Sequence, residues 1–379
     1  MKTGIYLHIP FCRSRCSYCD FATDVFKSDD VVERYVAALV KEIQNFENSK
    51  SEIENRIDTI YFGGGTPSLL SPAQLERILH AIDRKFSVLP AIELTMEMNP
   101  ATVSLETLRR YKALGVNRAS FGAQTFDDRE LKRLGRRHTA ADVRETIDLL
   151  REAGFANVSF DLIAGLPRQT LGDWERNLDE ALRLQPEHLS LYLLEIHEGT
   201  PLAEQIQSRR QPAPDEDLAG EMYELMVEKT AEKGYRQYEI SNFSLPGFES
   251  KHNSKYWLCE PVHAFGVSAH SFDGETRRAN ERDTRRYVSL VESGRSPVVE
   301  EIRLNNKQLS AEFAFLRLRL AHGLNLKEYE RRFGVDLSTA MAEDLARLDD
   351  LGLIECEENH LRLTRKGMVF SNEVFALFV

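Results

Sequence analysis

The segment His-Ile-Pro-Phe-Cys-Arg-Ser-Arg-Cys-Ser-Tyr-Cys, residues 8–19, places three thiols in one short stretch after an apolar run. Three residues separate Cys12 from Cys16 and two separate Cys16 from Cys19, so one tight loop can bring the thiolates around a cube-shaped cluster. An ordinary [4Fe–4S] cluster is held by four cysteines. No fourth thiol lies nearby, which would leave one iron open to a chelating substrate.

The same triplet could instead form a structural zinc site, completed by His8 or by the distant Cys259 or Cys356. Chance clustering of buried thiols is a further alternative, which the regular spacing makes unattractive. Zinc sites favour two pairs of cysteines over a triplet, so the spacing favours the cluster. Arg13 and Arg15 could offset the negative charge of the thiolates.

The remaining composition is that of a globular protein of 379 residues, with 42% hydrophobic and 29% charged residues. Its 49 basic and 60 acidic residues give a net charge of −11. This balance argues against non-specific nucleic-acid binding, which needs a basic surface, but it allows a local basic pocket. The sequence shows neither a signal peptide nor an apolar run of roughly 18 residues. It therefore predicts a cytoplasmic location, where thiols stay reduced.

Residues 1–240 alternate short apolar runs with amphipathic stretches, which predicts βα units around a parallel sheet. Six such repeats predict a barrel or partial barrel, although an open doubly wound sheet would give the same pattern. Ser104 and Thr139 are predicted helix N-caps. The predicted strands cover residues 4–8, 59–62, 93–96, 118–121, 158–162 and 189–193, and the clearest helices cover 31–46 and 72–86.

The residues with chemical potential follow these strands directly, at the edge that carries chemistry in βα folds. They are Cys12, the segment 63–66, Asn99, Gln124 and Gly165.

Beyond residue 240 the pattern changes twice. Residues 241–280 are rich in Ser, Asn, His and aromatics, which indicates an irregular region. From about residue 305 consecutive helices are followed by two short strands, the order of a winged helix. Because its helices have few basic residues, packing or partner contact is favoured over nucleic-acid binding. The predicted helices cover 310–321, 326–333 and 338–351, and the strands cover 354–356 and 360–363.

The cysteine triplet with the preceding His8-Ile9-Pro10-Phe11 resembles the radical S-adenosylmethionine (SAM) enzymes. The nearest branch contains oxygen-independent coproporphyrinogen III oxidase and the HemW-type haem chaperones. The resemblance implies an α/β fold, a radical SAM partial (β/α)6 TIM-like barrel with a small, mainly helical, winged-helix-like C-terminal domain. It divides the chain into a core barrel at 1–240, an irregular, haem-associated linker at 241–304 and a C-terminal domain at 305–379.

The resemblance also implies the cofactors, a [4Fe–4S] cluster on Cys12, Cys16 and Cys19 and a SAM molecule that chelates the open iron. The family's chemistry is reductive cleavage of the sulfonium to methionine and a 5′-deoxyadenosyl radical, which the cofactor performs while the protein orients it. The glycines of segment 63–66 allow positive φ and close approach, so their amides could meet a polar ligand. Without the resemblance, most of the implied contact residues would individually be interpreted as parts of turns or as structural hydrogen-bonding groups. These implied contacts are Tyr6, Tyr18, Gly64, Gly65, Thr66, Glu97, Gln124, Arg136 and Asp161.

The segment His-Asn-Ser-Lys-Tyr-Trp, residues 252–257, resembles the His-Asn-x-x-Tyr-Trp signature of the HemW-type chaperones. These proteins bind haem and pass it to haem proteins such as respiratory enzymes. Histidine is a common axial haem ligand, so His252 is the candidate ligand, with His263, His270 and Cys259 nearby as rivals, and Tyr256 and Trp257 could stack on the porphyrin. Without the resemblance, the same residues would be taken as core aromatics with an ordinary histidine.

Two departures separate this chain from the decarboxylating oxidases. The oxidases carry another cysteine two positions after the triplet, where this chain has Phe21, and they have an N-terminal extension. We therefore expect a haem chaperone whose fold can cleave SAM but which does not oxidise coproporphyrinogen. The alternatives are the oxidase itself and a structural iron–sulfur or zinc protein. The expected partners are SAM, haem and recipient haem proteins, without nucleic acid; peripheral membrane association and the choice between monomer and homodimer are left open.

Overall fold

The structure is a computed structural model that describes residues 2–26, 28–47 and 56–378 of the chain. It begins with strand β1 (Thr3–Ile9), followed by the short strands β2 (Phe11–Cys12) and β3 (Asp24–Val25), which pair in parallel. The cysteine loop between β2 and β3 therefore leaves and re-enters the fold at the same place.

Five further parallel strands join β1 in the order β1-β4-β5-β6-β7-β8, which confirms the six predicted βα units. Right-handed crossovers of this kind curve a parallel sheet towards a barrel. The elements are α1 (Asp29–Asn45), β4 (Arg56–Gly64), α2 (Pro72–Lys85), β5 (Ser87–Met98), α3 (Leu105–Ala113), β6 (Arg118–Gln124), α4 (Asp128–Arg133), α5 (Ala140–Glu152), β7 (Val158–Ala164), α6 (Leu171–Arg183) and β8 (His188–Leu193).

The two faces of these strands differ in polarity. In β1, Ile5, Leu7 and Ile9 are fully buried and belong to the core shared with the surrounding helices. Each such side chain stabilises the fold by roughly 1.5–3 kcal/mol. The alternate residues, Tyr6 and His8, make polar contacts instead. The helices thus cover an apolar outer face, while the inner face is free to carry polar chemistry.

The predicted helix caps are confirmed. The Ser104 hydroxyl accepts from the Thr107 amide at 3.2 Å, at the start of α3. Thr139 and Asp142 exchange bonds in a capping box at the start of α5. Such caps contribute about 1 kcal/mol each and fix where the crossover helices begin.

Residues 241–280 form ordered elements, so the expectation of an irregular region is wrong. On one side of the sheet, β11 pairs in parallel with β1, and β12, β13 and β14 follow it as antiparallel strands. On the other side, β10 pairs antiparallel with β8, and β9 pairs antiparallel with β10. The division of the chain at 240 and 304 stays a prediction. The elements are α7 (Pro201–Gln207), α8 (Glu216–Glu232), β9 (Arg236–Glu239), β10 (Asn242–Ser244), α9 (Lys251–Trp257), β11 (Val262–Phe265), β12 (His270–Phe272), β13 (Thr276–Asn280), α10 (Thr284–Glu292) and β14 (Val298–Arg303).

The C-terminal part combines helices with a three-stranded sheet of order β15-β17-β16, in which β16 and β17 are the two predicted strands and β15 was not predicted. Glu358 and Asn359 join β16 to β17 with φ of 47° and 71°, the left-handed values that a tight hairpin turn requires. The predicted helix over 338–351 is divided in two at Met341. The elements are α11 (Asn306–Leu318), β15 (Leu324–Asn325), α12 (Leu326–Phe333), α13 (Leu337–Ala340), α14 (Ala342–Asp350), β16 (Ile354–Glu357), β17 (His360–Leu363), α15 (Arg365–Val369) and α16 (Ser371–Phe375).

Across the three described stretches of the chain, none of the helices combines the length and apolar character that crossing a bilayer would take.

Candidate functional site

A cavity of about 470 Å³ lies at the carboxyl ends of the central strands. Cys12, Cys16 and Cys19 line it as half-buried free thiols. Most of the residues predicted to contact the cofactor line it as well, although they come from different strands and loops; their roles as contacts stay predictions. They are Tyr6, Tyr18, Gly64, Gly65, Glu97, Gln124, Arg136 and Asp161, while Thr66 lines an adjoining cavity of about 300 Å³.

Backbone contacts hold the cysteine loop in place. The Ser17 amide donates to the Leu134 carbonyl at 2.9 Å, and the Ser17 carbonyl accepts from the Leu202 amide at 2.8 Å. Gly135, with φ of 75°, brings the turn after α4 so close that an added Cβ would lie 3.4 Å from the Arg15 carbonyl oxygen. The loop is therefore positioned by the fold and not only by what it binds.

A chain of hydrogen bonds connects two of the thiols. Thr66 Oγ1 donates to Cys12 Sγ at 3.6 Å and accepts from Asn99 Nδ2 at 2.7 Å. Arg136 completes the chain, since it donates to Asn99 Oδ1 at 2.8 Å and to Cys16 Sγ at 3.6 Å. Such contacts orient cluster ligands and tune the cluster's potential. Asn99 is not among the predicted contacts, and its place directly after β5 is the only sequence signal for it.

Without a metal ion, burial favours the neutral thiol form of Cys12 and Cys19 over the thiolate form. Burial raises the pKa of Cys12, although the Thr66 hydrogen bond opposes the shift, and burial raises the pKa of Cys19 to about 11. Because metal ligands must be deprotonated, the binding of metal to this loop would release protons.

His8 is not available as the fourth ligand of a structural zinc site, because both of its ring nitrogens have other partners. The His8 ring nitrogens contact the Tyr6 hydroxyl at 3.2 Å and the Ala22 carbonyl at 2.8 Å. Among the described residues, no three histidine, cysteine or acidic side chains converge closely enough to hold one metal ion. A cubane cluster takes each thiolate on a different iron atom, so its ligands need not meet at one point.

The glycines after β4 allow two strands to approach closely. Gly64 has φ of 107°, and a Cβ there would lie 2.6 Å from the His8 ring. The Gly65 and Thr66 amides donate to the Ile9 and Phe11 carbonyls, each at 2.8 Å. The Gly64 amide donates to Glu97, so all three amides are occupied. These amides are therefore not free to bind a ligand in this conformation, contrary to the expectation from the sequence.

Glu97 is a buried carboxyl group at the cavity wall. Its Oε1 accepts from the Tyr61 hydroxyl at 2.7 Å and its Oε2 from the Gly64 amide at 3.1 Å. Burial raises its pKa to about 7, against the lowering effect of the Tyr61 hydrogen bond. Burial also raises the pKa of Asp161, which the Ser190 hydroxyl opposes. These carboxyl groups can accept hydrogen bonds from ligand hydroxyl or ammonium groups.

A β-bulge aims Gln124 into the cavity. The pairing of β6 with β7 shifts register between Gly122 and Gln124, and Gln124 has φ of 66°. Bulges commonly redirect one side chain next to a functional site. The Gly122 carbonyl freed by this irregularity accepts from Arg136 Nη2 at 2.6 Å.

His252 lies on α9, packed against strands β1 and β4, and it does not line the cavity. It is 1% exposed, and its ring stacks on Tyr61 at 5.1 Å and on Tyr6 at 6.4 Å between centroids. Its Nδ1 contacts Thr59 Oγ1 at 2.9 Å and its Nε2 contacts the Tyr256 hydroxyl at 3.2 Å. Burial lowers its pKa to about 3, so the ring is neutral. Both nitrogens are thus engaged within the fold.

The other two predicted haem contacts differ in exposure. Tyr256 is 37% exposed. Trp257 is half-buried, the Arg319 guanidinium lies 4.3 Å from its ring centroid, and its Nε1 has no partner among the described residues. Arg319 also lines the cofactor cavity and contacts Glu239 at 3.3 Å. Sequence reasoning missed Arg319 because it lies at the end of α11, far from every motif.

Two family models match the chain. The model of the radical SAM superfamily covers residues 6–181, and the model of the HemN C-terminal domain covers residues 304–370. The first span runs from the middle of β1 through the cysteine loop and β7 to near the end of α6. Radical SAM proteins are characterised by a [4Fe–4S] cluster and SAM, which fits the three-thiol loop described above.

Individual relatives extend over the whole chain. The heme chaperone HemW of Bacillus subtilis (strain 168) is 37% identical over 380 residues, which cover 100% of this chain and 99% of the relative. HemW of Lactococcus lactis is 35% identical, over 99% and 96% of the two chains. The coproporphyrinogen III oxidase HemN of Escherichia coli has the same fold, with a TM-score of 0.85 and 23% identity over 100% and 90% of the chains. The chain therefore belongs to the HemW family within the radical SAM superfamily.

Proposed function

We propose that this chain is a haem chaperone built on a radical SAM domain, which binds haem and delivers it to haem proteins, respiratory enzymes among them. The observation that carries the proposal is the 37% identity to the Bacillus subtilis heme chaperone HemW over the full length of both chains. The oxidase HemN shares the fold at 23% identity, which supports the architecture alone. Phe21, where the oxidases carry a cysteine, also favours the chaperone.

The proposed cofactor site uses Cys12, Cys16 and Cys19 for the cluster and the adjoining cavity for SAM. When bound, these groups would supply one-electron cleavage of the sulfonium. Arg136 contacts Cys16 and would balance the thiolate charge. Glu97 and Asp161 line the cavity and would accept hydrogen bonds from ribose hydroxyl or ammonium groups. Tyr6 and Tyr18 would exclude water from the same space.

The proposed haem contacts, His252, Tyr256 and Trp257, would require a local rearrangement. His252 would have to release Thr59 or Tyr256 before a ring nitrogen could bind iron. Tyr256, a residue that is 37% exposed, is the part of this segment that an incoming porphyrin would meet first.

The test of function uses one anaerobically reconstituted sample. We expect haem titration to give a shifted Soret band that saturates near one haem per chain, and we expect no conversion of coproporphyrinogen III. Conversion to protoporphyrinogen without haem binding would overturn the proposal in favour of the oxidase.

The test of the cluster compares the wild type with Cys12→Ala, Cys16→Ala and Cys19→Ala. Each variant should lose iron and sulfide after anaerobic reconstitution, whereas Cys356→Ala should retain both because Cys356 is exposed and does not line the cavity. Unchanged iron in the three variants, or zinc in place of iron, would contradict the assignment.

The test of His252 must separate ligation from folding, because its ring is buried. His252→Ala should abolish haem binding, while Thr59→Val removes only its Nδ1 partner and should leave the ring able to bind. Thermal unfolding of both variants supplies the control. Equal loss of haem binding and of thermal stability in the two variants would show that His252 is structural.

A further inference from the structure

The interior of the barrel is polar below the cofactor cavity. On β6, Ser120 and Gly122 line the cavity, and Arg118 lies two residues before Ser120 on the same face of the strand. The alternate residues Ala119 and Phe121 belong to the apolar core instead. Arg118 therefore lies inside the barrel, one layer below the cavity, at a depth where βα barrels usually carry bulky apolar side chains.

Arg118 is a buried cation without a counter-ion. It is 1% exposed, and it forms no ion pair with any residue that the structure describes. Its Nε and Nη1 have no hydrogen-bond partner within the described ranges of the chain. Because an unpaired buried charge is strongly destabilising, charged groups in protein interiors are as a rule paired.

The buried carboxyl groups of the barrel are already engaged elsewhere. Glu93 accepts from two backbone amides at the start of α9, each at 3.0 Å. Glu97 accepts from two donors at the cavity wall, and Glu239 pairs with Arg319. Asp161 accepts a hydrogen bond from β8. The guanidinium of Arg118 therefore needs a counter-charge from outside this set.

Two hydroxyl groups at the same depth also have no partner. Thr95 lies directly opposite Arg118 in the pairing of β5 with β6, and Ser244 lies opposite His188 in the pairing of β8 with β10. Thr95 Oγ1 and Ser244 Oγ are buried, and neither has a hydrogen-bond partner among the described residues. Each hydroxyl can donate one hydrogen bond, so both are suited to an anion.

His188 adds neither a charge nor a free donor to this layer. Its Nδ1 contacts Ser159 Oγ at 2.7 Å and its Nε2 contacts the Tyr238 hydroxyl at 2.8 Å. Burial, followed by the charge of Arg118, lowers the pKa of His188 well below its ordinary value, so the ring is neutral. The layer carries the positive charge of Arg118 and no negative charge. It consists of Thr95, Arg118, Ser159, His188 and Ser244.

We propose that Arg118 binds a small inorganic anion of the chloride class inside the barrel, with the hydroxyl groups of Thr95 and Ser244 as further donors. A spherical monoanion accepts hydrogen bonds from several directions, which suits donors that come from different strands. Its single charge balances the guanidinium. The inference goes beyond the proposed haem and cluster chemistry and does not depend on it, because none of these three residues lines the cofactor cavity.

The first test measures thermal unfolding of the full chain at constant ionic strength while chloride replaces gluconate, an anion too large for a buried site. An anion that binds only the folded state stabilises it increasingly with concentration. We expect the unfolding midpoint to rise by at least about 2 °C when chloride increases a hundredfold. Constant ionic strength keeps the general screening of charges equal. Equal midpoints in the two salts would overturn the proposal.

The variant Arg118→Met removes the charge and keeps a long, unbranched side chain. We expect it to fold, because apolar replacement of a buried charge is often neutral or stabilising, and we expect its midpoint to be independent of chloride. Arg110→Met is the matched control, since Arg110 is exposed on α3 and its loss should leave the chloride dependence intact. A chloride response in Arg118→Met equal to that of the wild type would show that the anion binds elsewhere.

The variant Thr95→Val keeps the guanidinium and removes one donor at nearly constant shape. We expect the chloride concentration needed for half of the stabilisation to rise about tenfold, because one hydrogen bond to a charged group is lost. An unchanged concentration would remove Thr95 from the site and contradict the proposed set of donors.

A bromide-soaked crystal of the wild type locates the anion directly, because bromide scatters anomalously and has the same charge and shape as chloride. We expect an anomalous peak within hydrogen-bond reach of Arg118 Nε or Nη1. Bromide bound only at the protein surface, with water beside Arg118, would overturn the proposal and leave the proposed haem and cluster functions untouched.

Discussion

Single side chains at the cavity act through partners that are distant in sequence, as the contact chain from Cys12 to Cys16 illustrates. Thr66, Asn99 and Arg136 come from three successive βα units and meet only because parallel strands end at a common edge. The cysteines themselves are predictable, because their ligand spacing is local. The sequence indicated Asn99 only by its place after a strand and did not indicate Arg319 at all, because the contacts of both depend on tertiary structure.

The first prediction concerns Asn99. Asn99→Ala removes the only described link between the Thr66 hydroxyl and Arg136, so we expect a less well retained cluster and a shifted cluster potential. Iron and sulfide after desalting and a redox titration measure both effects. Asn117→Ala, which removes contacts to Leu94 and Ile92 on β5, should lower thermal stability without changing cluster retention.

The second prediction concerns the glycine at the end of β4. In Gly64→Ala, the added Cβ would lie 2.6 Å from the His8 ring, at a residue whose φ is 107°. We therefore expect the variant to be destabilised by more than about 2 kcal/mol and to lose SAM binding. Equilibrium dialysis with SAM and thermal unfolding measure the outcome. Gly165→Ala has a φ of 76° with nothing within 4 Å of its Cβ, so it isolates the backbone effect of roughly 1–2 kcal/mol. Equal effects at both positions would contradict the steric argument.

Among the secondary-structure elements, those with a clear apolar pattern were predictable, including the four-residue strands β16 and β17, whereas short strands rich in polar residues were not. The helix over 326–333 matches α12 (Leu326–Phe333), and each of the six central strands contains a short apolar run or an alternation of apolar and polar residues. Strands β10 to β13 are three to five residues long and contain Ser, His and Asn, so they show no alternation of polarity. They form because β1 and β8 offer edges for pairing, which is a property of the sheet and not of the segment.

The third prediction concerns Glu42, which ties α1 to the strands added beside β1. Its carboxylate accepts from the Gly266 amide, Asn280 Nδ2 and the Tyr287 hydroxyl. Burial raises its pKa to about 7 in spite of these hydrogen bonds. The folded state therefore binds this proton more tightly than the unfolded state does, and the stability from it is lost as pH rises from about 4.5 to about 7.

Because glutamine does not titrate, the Glu42→Gln variant should lose less stability than the wild type between pH 4.5 and about pH 7. The difference in the free energy of unfolding should reach up to about 3 kcal/mol over this range. Urea unfolding of the apoprotein at pH 5 and pH 7.5 measures the effect. Glu97, whose pKa is also raised to about 7, provides a parallel case in Glu97→Gln. A wild type and a Glu42→Gln variant with the same pH dependence would contradict the assignment to Glu42.

Across the whole molecule, Arg319 connects the C-terminal helices to the barrel. It contacts Glu239, which is fully buried on β9, and lies over the Trp257 ring of α9. Sequence patterns predicted both parts of the molecule, but they carried no information on how the parts meet, because a single ion pair leaves no periodic signal.

The fourth prediction follows from this contact. Arg319→Ala leaves the Glu239 carboxylate buried without its cation, so we expect about 3 kcal/mol of destabilisation, measured by urea unfolding. Arg365→Ala is the control, since its partners Glu224 and Glu228 are exposed and the loss should stay below about 1 kcal/mol. Similar losses in both variants would show that Arg319 contributes no more than a surface pair.

The pairing of β2 with β3 has a consequence for biosynthesis. Because backbone hydrogen bonds close the cysteine loop at its base, the entropy of bringing its ends together is spent during folding and not during metal loading. Cluster assembly then has to order only the residues between the two paired strands, whose ends the fold already holds side by side.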